Sequence, residues 1–137
     1  MDLEQTFIFI KPDGVSRGLV GKILARFEKR GLEIAQLKKM IISADLADKH
    51  YEEHIDKPFY PRLKQYVTSG PVVAAIIEGK NAIEIVRGMC GTTDPKEALP
   101  GTIRGDFAVS LDANVIHSSD SPESAQRECS NFFSLTI

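Results

Sequence analysis

The most reactive side chain in this sequence is a histidine placed between an apolar run and a turn. His117 follows Val115-Ile116 and enters the hydroxyl-rich segment Ser118-Ser119-Asp120-Ser121, just before a predicted helix. Helix N-termini and clustered hydroxyl groups attract anions such as phosphate. From these residues alone two interpretations stay open, a phosphate-handling histidine and a hydrogen-bonded histidine in a turn.

The other two histidines lie in the segment His50-Tyr51-Glu52-Glu53-His54. It matches the H-x-x-E-H pattern of inverted zinc metallopeptidases, in which two histidines on one helical face bind zinc beside a glutamate base. Short patterns of common polar residues also arise by chance, and a third ligand would require a larger scaffold. We expect a solvated helix face here rather than a zinc site.

A third feature is an arginine between glycines, in Gly101-Thr102-Ile103-Arg104-Gly105-Asp106. The planar guanidinium group presents a fork of donors that matches phosphate oxygens. A surface arginine in a glycine turn is the alternative. The chain has neither a G-x-x-x-x-G-K-[ST] loop nor a G-x-G-x-x-G loop, so any nucleotide site must be built differently.

Length and composition indicate one globular domain over residues 1–137. Hydrophobic residues make up 42% and charged residues 26% of the chain, which excludes disordered, collagenous and disulfide-scaffold classes. The longest apolar run, Val72 to Ile77, is far shorter than the ~20 residues of a membrane span. The polar start and two cysteines, Cys90 and Cys129, favour a cytoplasmic protein.

The charge balance argues against general nucleic-acid binding. Seventeen basic and nineteen acidic residues give a formal net charge of −2, whereas such binding depends on clustered Lys and Arg. We expect no specific nucleic-acid partner, and phosphate groups only at a focused site.

Hydrophobic spacing predicts strands and helices in alternation. Predicted strands cover residues 6–10, 32–42 (with one slip in the alternation), 72–77 and 107–111. Predicted helices cover residues 18–30, 43–54, 63–68, 81–89 and 122–131, with residues 90–106 as a long loop. Caps are expected from Gly31, from Ser43 and Ser121, and from a capping box of Asn81 with Glu84.

This order predicts an α+β fold, a ferredoxin-like βαββαβ sandwich. Its four-stranded antiparallel sheet would carry helices packed on one face. The unbroken apolar run at residues 72–77 is typical of a strand that is central or covered on both faces.

Six groups of residues, in order, resemble the nucleoside diphosphate kinase family over about residues 4 to 133. They are Lys11-Pro12-Asp13-Gly14-Val15, Arg17-Gly18, His50-Tyr51 with Pro58-Phe59, Ser69-Gly70-Pro71-Val72-Val73, Gly101-Thr102-Ile103-Arg104-Gly105-Asp106, and Asn114 to Ser121.

The resemblance implies transfer of the terminal phosphate of a nucleoside triphosphate, typically ATP, to a nucleoside diphosphate. His117 lies at the family's nucleophile position, so the reaction would be ping-pong through a phosphohistidine. Mg²⁺ would sit on the nucleotide phosphates, with no ligand directly from the protein. A neutral imidazole suits this role, because its ordinary pKa of about 6.5 leaves most of it deprotonated at pH 7.

The resemblance also implies a role for each matched residue. Glu128 would orient the imidazole, and Ser119 would hydrogen-bond within the same group. The other matched catalytic or substrate-binding residues are Lys11, Tyr51, Phe59 (under the base), Arg87, Thr93, Arg104 and Asn114.

Two departures from the family pattern qualify these expectations. Ser118 stands where relatives have Gly or Ala, and it would be strained if that position needs positive φ. The chain ends at Ile137, without the longer tail of many relatives.

Family members are homo-hexamers or homo-tetramers, and Pro95 matches a hexamer contact. The alternative function is a catalytically impaired nucleotide-binding module of the same fold.

Overall fold

A four-stranded antiparallel sheet organises the fold. The computed structural model describes residues 3–133; the predicted polar start at Met1 and Asp2 and the chain end at Ile137 lie outside them. The strands are β1 (Leu3–Ile10), β2 (Glu33–Met40), β3 (Val72–Lys80) and β4 (Ile116–Ser118). Their spatial order is β2-β3-β1-β4, and each neighbouring pair is antiparallel. The α+β, ferredoxin-like prediction is confirmed.

Seven α-helices and two short 3₁₀ turns accompany these strands within residues 3–133, and the last helix follows β4. The helices are α1 (Pro12–Ser16), α2 (Val20–Lys29), α3 (Ala44–His50), α4 (Tyr60–Val67), α5 (Ala82–Cys90), α6 (Ile103–Phe107) and α7 (Pro122–Phe133). The 3₁₀ turns are Glu52–His54 and Pro95–Glu97. None of these helices is long and apolar enough to cross a membrane.

Helices cover both faces of the sheet, so the prediction of helices on one face was wrong. In β1, Ile8 and Ile10 join an apolar cluster with residues of α2 and α5, while Phe7 and Phe9 join a second cluster with residues of α3, α4 and α7. Side chains alternate between the faces of a strand, so a central strand apolar at every position needs cover on both sides.

The slip in the alternation of β2 is a β-bulge. The register of β2 on β3 shifts between Ile34, which lies opposite Ile77, and Gln36, which lies opposite Ile76. One extra residue in a strand changes which face the following side chains occupy. The slip in the predicted alternation is this bulge, so the prediction of a strand here is confirmed.

Predicted hydroxyl caps form at two helix starts. The Leu46 N–H donates to Ser43 Oγ at 3.1 Å, and the Ser124 N–H donates to Ser121 Oγ at 3.1 Å. Gly31 follows α2 with a φ of +95°, the left-handed conformation typical of a residue after a helix end.

The capping box expected at Asn81 was wrong. Asn81 adopts a φ of +57° and its side chain makes no capping hydrogen bond. The carboxylate of Glu4 accepts instead from the Ile83 N–H, at 3.1 Å. A side chain from the neighbouring β1 strand therefore satisfies the start of α5.

The last strand was also predicted in the wrong place. Residues 103–107 form α6, capped by Thr102 Oγ1, which accepts from the Gly105 N–H at 3.0 Å. Beyond it Ala108 is buried, but Val109 and Leu111 are 94% and 57% exposed. The strand that carries His117 is only three residues long, too short for alternation to reveal it.

Phe27 tests the packing of α2 on the sheet, because it is fully buried in the cluster with Ile8 and Ile10. We expect Phe27→Ala to lower the free energy of unfolding by about 3–5 kcal/mol, through lost burial and a residual cavity. Denaturant unfolding measures this change. The exposed Glu28→Ala on the same helix is the control, and equal midpoints for the two variants would contradict the packing.

Candidate active site

The residues matched by resemblance meet in one cleft of about 1370 Å³. Nine of the ten line it: Lys11, Tyr51, Phe59, Arg87, Thr93, Arg104, Asn114, His117 and Glu128. The tenth, Ser119, is fully buried behind the lining. Residues separated along the whole chain thus share one cavity.

His117 is held by a strand on one side and by a helix on the other. Within β4 it lies opposite Phe9 of β1. Its Nε2 lies 2.9 Å from Oε1 of Glu128 on α7. An ionised carboxylate only accepts hydrogen bonds, so Nε2 carries the proton and Nδ1 keeps its lone pair. This is the tautomer that a nucleophilic Nδ1 requires.

Glu128 is itself fixed by a second donor. Ser119 Oγ donates to the same Oε1 at 2.6 Å, and the Ser119 N–H donates to the Phe7 carbonyl at 3.0 Å. Burial opposes ionisation of Glu128, but the hydrogen bonds from His117 and Ser119 hold its pKa below the ordinary value. Glu128 is therefore a carboxylate at neutral pH.

His50 packs against His117, a contact that sequence reasoning missed. The two ring centroids lie 4.6 Å apart with the rings nearly perpendicular. Burial, followed by repulsion from His117, lowers the pKa of His50 to about 3, so its ring is neutral. Nothing in local sequence spacing signals this contact, because the two residues come from α3 and β4.

The H-x-x-E-H interpretation does not fit the structure. Helix α3 ends at His50, and His54 lies in the following 3₁₀ turn. The two histidines therefore do not share one face of a helix, as the metallopeptidase pattern requires. The solvated helix face expected instead was also wrong at His50, which is only 5% exposed.

Lys11 is a buried cation tied to an amide. Its Nζ donates to Asn114 Oδ1 at 2.6 Å, and Asn114 Nδ2 donates to the Thr93 carbonyl at 3.0 Å. Burial and the positive charge of Arg104 lower the pKa of Lys11 to about 8. Lys11 is therefore mostly charged at pH 7, and no carboxylate among residues 3–133 pairs with it.

Two arginines add positive charge to the same cleft. Arg104 is 4% exposed and donates to the carbonyls of Gly91 at 2.7 Å and Ile116 at 2.6 Å. Arg87 donates to the Ser118 carbonyl at 3.4 Å. Within residues 3–133, neither arginine forms a salt bridge. Their charge is available to an anionic ligand.

Backbone strain lies beside the site, at Val115 rather than at Ser118. Val115 has a φ of +76°, and the Ile116 N–H donates to the Asn114 carbonyl at 2.9 Å. This i→i+2 bond closes a γ-turn, which is strained for a β-branched residue. Ser118 lies in β4 opposite Ile8 and has no positive φ, so the condition for strain there is not met.

The mouth of the cleft presents an aromatic surface. Phe59 is 51% exposed, and its ring centroid lies 5.5 Å from that of His54. Deeper in the cleft, burial raises the pKa of Tyr51, so its hydroxyl stays protonated and can donate. The cleft thus combines an apolar entrance with a cationic interior that ends at His117.

Known proteins are similar to this chain in both sequence and fold. A family model described as nucleoside diphosphate kinase matches residues 4–136. The nucleoside diphosphate kinase of Thermus thermophilus is 60% identical over 131 residues, covering 96% of each chain. That of Archaeoglobus fulgidus is 55% identical over 132 residues, covering 96% of this chain and 87% of the relative.

Solved structures give the same result. The Halobacterium salinarum nucleoside diphosphate kinase in complex with CDP has a TM-score of 0.93 at 48% identity, covering 95% of this chain and 87% of that one. The Aquifex aeolicus nucleoside diphosphate kinase has a TM-score of 0.93 at 43% identity, covering 96% and 95%. Since identity is high and coverage nearly complete, this chain belongs to the nucleoside diphosphate kinase family.

Proposed function

We propose that Nδ1 of His117 carries the phosphoryl group in the nucleoside diphosphate kinase reaction of this chain. Nδ1 attacks the γ-phosphorus of a nucleoside triphosphate such as ATP, the bond to the bridging oxygen breaks, and the nucleoside diphosphate leaves. A second nucleoside diphosphate then takes the group from Nδ1. The observation that carries this proposal is the 2.9 Å hydrogen bond between His117 Nε2 and Glu128.

Glu128 has two tasks in this mechanism. It keeps the proton on Nε2, and its negative charge stabilises the ring as the bond from Nδ1 to phosphorus forms and the ring becomes positive. The carboxylate is 5% exposed, so its charge acts through a poorly screened environment. Ser119 is a positioning residue that holds Glu128.

Lys11, Arg87 and Arg104 bind the phosphate oxygens in this proposal. Their partners are an amide or backbone carbonyls, as described above, so the anionic substrate supplies the missing negative charge. Fixed donors of this kind stabilise the charge that spreads over the phosphoryl oxygens in the transition state. Tyr51, Thr93 and Asn114 add polar groups along the same wall.

Phe59 stacks against the nucleobase in this proposal. The ring is half exposed at the cleft mouth. Stacking is tolerant of base identity because every base has a π-face. This arrangement suits an enzyme that accepts several nucleotides in turn.

Mg²⁺ is the proposed cofactor, held on the nucleotide phosphates. The lining fits such an ion, because Asp120 places an exposed carboxylate in the cleft, near the positive charge of Arg87. Mg²⁺ commonly binds substrate phosphates with few protein oxygens. When bound, the ion neutralises charge on the phosphates. We place no protein ligand directly on it.

A phosphate-transfer experiment tests the nucleophile. The protein is mixed with γ-labelled ATP and Mg²⁺, and nucleotide is then removed. We expect acid-labile, alkali-stable label on the chain, because phosphohistidine has this stability, and discharge of the label to GDP as GTP. Binding of ATP without any labelling would instead support the catalytically impaired binding module.

Two variants give this test its controls. His117→Ala removes the nucleophile and should abolish labelling. Glu128→Gln keeps the ring but replaces its acceptor-only carboxylate, so we expect labelling slowed about 10²-fold or more, the scale of lost electrostatic support. Normal labelling of His117→Ala would refute the assignment.

The lowered pKa of Lys11 predicts that kcat/KM depends on pH. Its lowered pKa of about 8 means that the charged form is lost as the pH rises through that value in the free enzyme. Since kcat/KM reports groups of the free enzyme, we expect it to fall above that pH. Lys11→Gln should be less active but flat over this range. An unchanged fall in that variant would assign the titration to another group.

We also propose that the chain assembles as a homo-hexamer or homo-tetramer. β2 is an edge strand of the sheet, and Leu37 on it and Ile41 just after it are 51% and 63% exposed. An apolar strand edge is a ready surface for pairing. Pro95 is buried within its own chain. Leu99 and Val109, which are 72% and 94% exposed, supply further apolar surface.

Light scattering measures the assembly. We expect a mass several times 15.1 kDa, and a shift to smaller species in Leu37→Asp, because a charge at the strand edge opposes pairing. Ser130→Asp on the exposed side of α7 is the control. A single-chain mass for the unmodified protein would contradict the proposal.

Two further proposals concern the whole chain. Residues 1–137 act as one domain, since both apolar clusters share the same sheet. The protein works in the cytoplasm, in keeping with two buried, unpaired cysteines, Cys90 and Cys129. Cell fractionation tests the compartment, and recovery from an oxidising compartment would contradict it.

A further inference from the structure

We infer that His50, His117 and Glu128 form an inhibitory site for a borderline transition-metal dication, with Zn²⁺ as the best match. One ligand atom from each residue lies within 4.8 Å of the others. His50 and Glu128 are each 5% exposed, while His117 lies at the cleft wall. The three residues come from α3, β4 and α7, so the fold rather than a local motif creates the cluster.

The donor set selects the kind of metal. Two imidazoles and a carboxylate are a common ligand set for zinc, with a fourth position left for water or another ligand. Mg²⁺ prefers oxygen ligands and nearly ideal octahedral geometry, so it has little affinity for two imidazoles. Two ions would therefore bind at different places in the same cleft, Mg²⁺ with the phosphates and Zn²⁺ at the histidines.

The distances allow Zn²⁺ to replace the proton between His117 and Glu128. His117 Nε2 and Glu128 Oε1 are 2.9 Å apart across their hydrogen bond. Zinc bonds of about 2.0–2.1 Å place tetrahedral ligands about 3.3 Å apart, so a small widening admits the metal. His50 lies edge-on to His117, with centroids 4.6 Å apart. Its Nδ1 is buried and has no hydrogen-bond partner among the described residues.

Metal binding at Nε2 would change the tautomer of His117. The ring proton leaves Nε2 and a proton is taken up at Nδ1 from solvent, so the neutral ring keeps one proton overall. Nδ1 then has no lone pair with which to attack phosphorus. The ion thereby inhibits by removing the nucleophile; this consequence, unlike binding itself, rests on the proposed function.

Direct binding tests the site without nucleotide. Metal-free protein is titrated with Zn²⁺ alone by calorimetry, and with Co²⁺ as a spectroscopic substitute. We expect one ion per chain and a tetrahedral Co²⁺ spectrum without thiolate bands. His50→Phe retains a ring among Phe7, Phe9 and Phe132. It should weaken Zn²⁺ binding at least about tenfold, because losing a ligand costs no less than losing an outer-shell partner.

Further variants keep the binding test decisive. His50→Gln is a second replacement in case the phenylalanine variant folds poorly, and it should weaken binding similarly. His54→Gln is the matched control, because His54 lines the cleft but lies outside the cluster, and it should leave the affinity unchanged. Unchanged affinity in both His50 variants, or thiolate bands that indicate Cys129, would overturn the site.

Nitrogen NMR and labelling then test the consequence. With Zn²⁺ bound, the ¹⁵N signals of His117 should show the proton on Nδ1, and labelling by γ-labelled ATP in excess Mg²⁺ should stop. Normal labelling with the ion bound would refute the inference. Absence of labelling before Zn²⁺ is added would instead refute the proposed function, while the calorimetric result would still decide whether the site exists.

Discussion

The proposed active site depends on one hydrogen bond, between His117 Nε2 and Glu128 Oε1. It decides which ring nitrogen has a lone pair, because a carboxylate can only accept. The bond forms only if β4 and α7 are held in register. β4 pairs with β1, and α7 buries Phe132 against the Phe7 ring, with centroids 4.5 Å apart. The sheet face that carries the phenylalanines thus supports the proposed nucleophile.

The charges of the site follow a second constraint. Burying a cation is unfavourable unless it is hydrogen-bonded, yet pairing it with a carboxylate would cancel the field that an anionic substrate needs. Lys11 and Arg104 resolve this conflict by donating to neutral oxygens, from Asn114 and from backbone carbonyls. The strained turn at Val115 lies between Asn114 and β4, so strain of about 1–3 kcal/mol is localised where the cationic wall meets the proposed nucleophile.

Hydroxyl caps between neighbouring residues could be predicted from the sequence, and contacts between distant residues could not. The Ser43 and Ser121 caps join groups three residues apart, so spacing reveals them. Glu4 caps a helix 79 positions away, and only the folded sheet brings them together. The same limit applies to the site: Lys11 and Asn114 are 103 positions apart. Their grouping came from the family resemblance, and the His50 contact, which no local pattern encodes, was missed.

The position of His50 explains how the His117 ring can be both rigid and reactive. It lies within 6.2 Å, between ring centroids, of Phe7, Phe9 and Phe132, and it meets His117 edge-on. These rings exclude water from one side of His117, which strengthens its hydrogen bond to Glu128. A phenylalanine at position 50 would provide similar packing. The imidazole adds a second nitrogen beside the proposed nucleophile, and this is what turns a packing contact into a donor set that suits a transition metal.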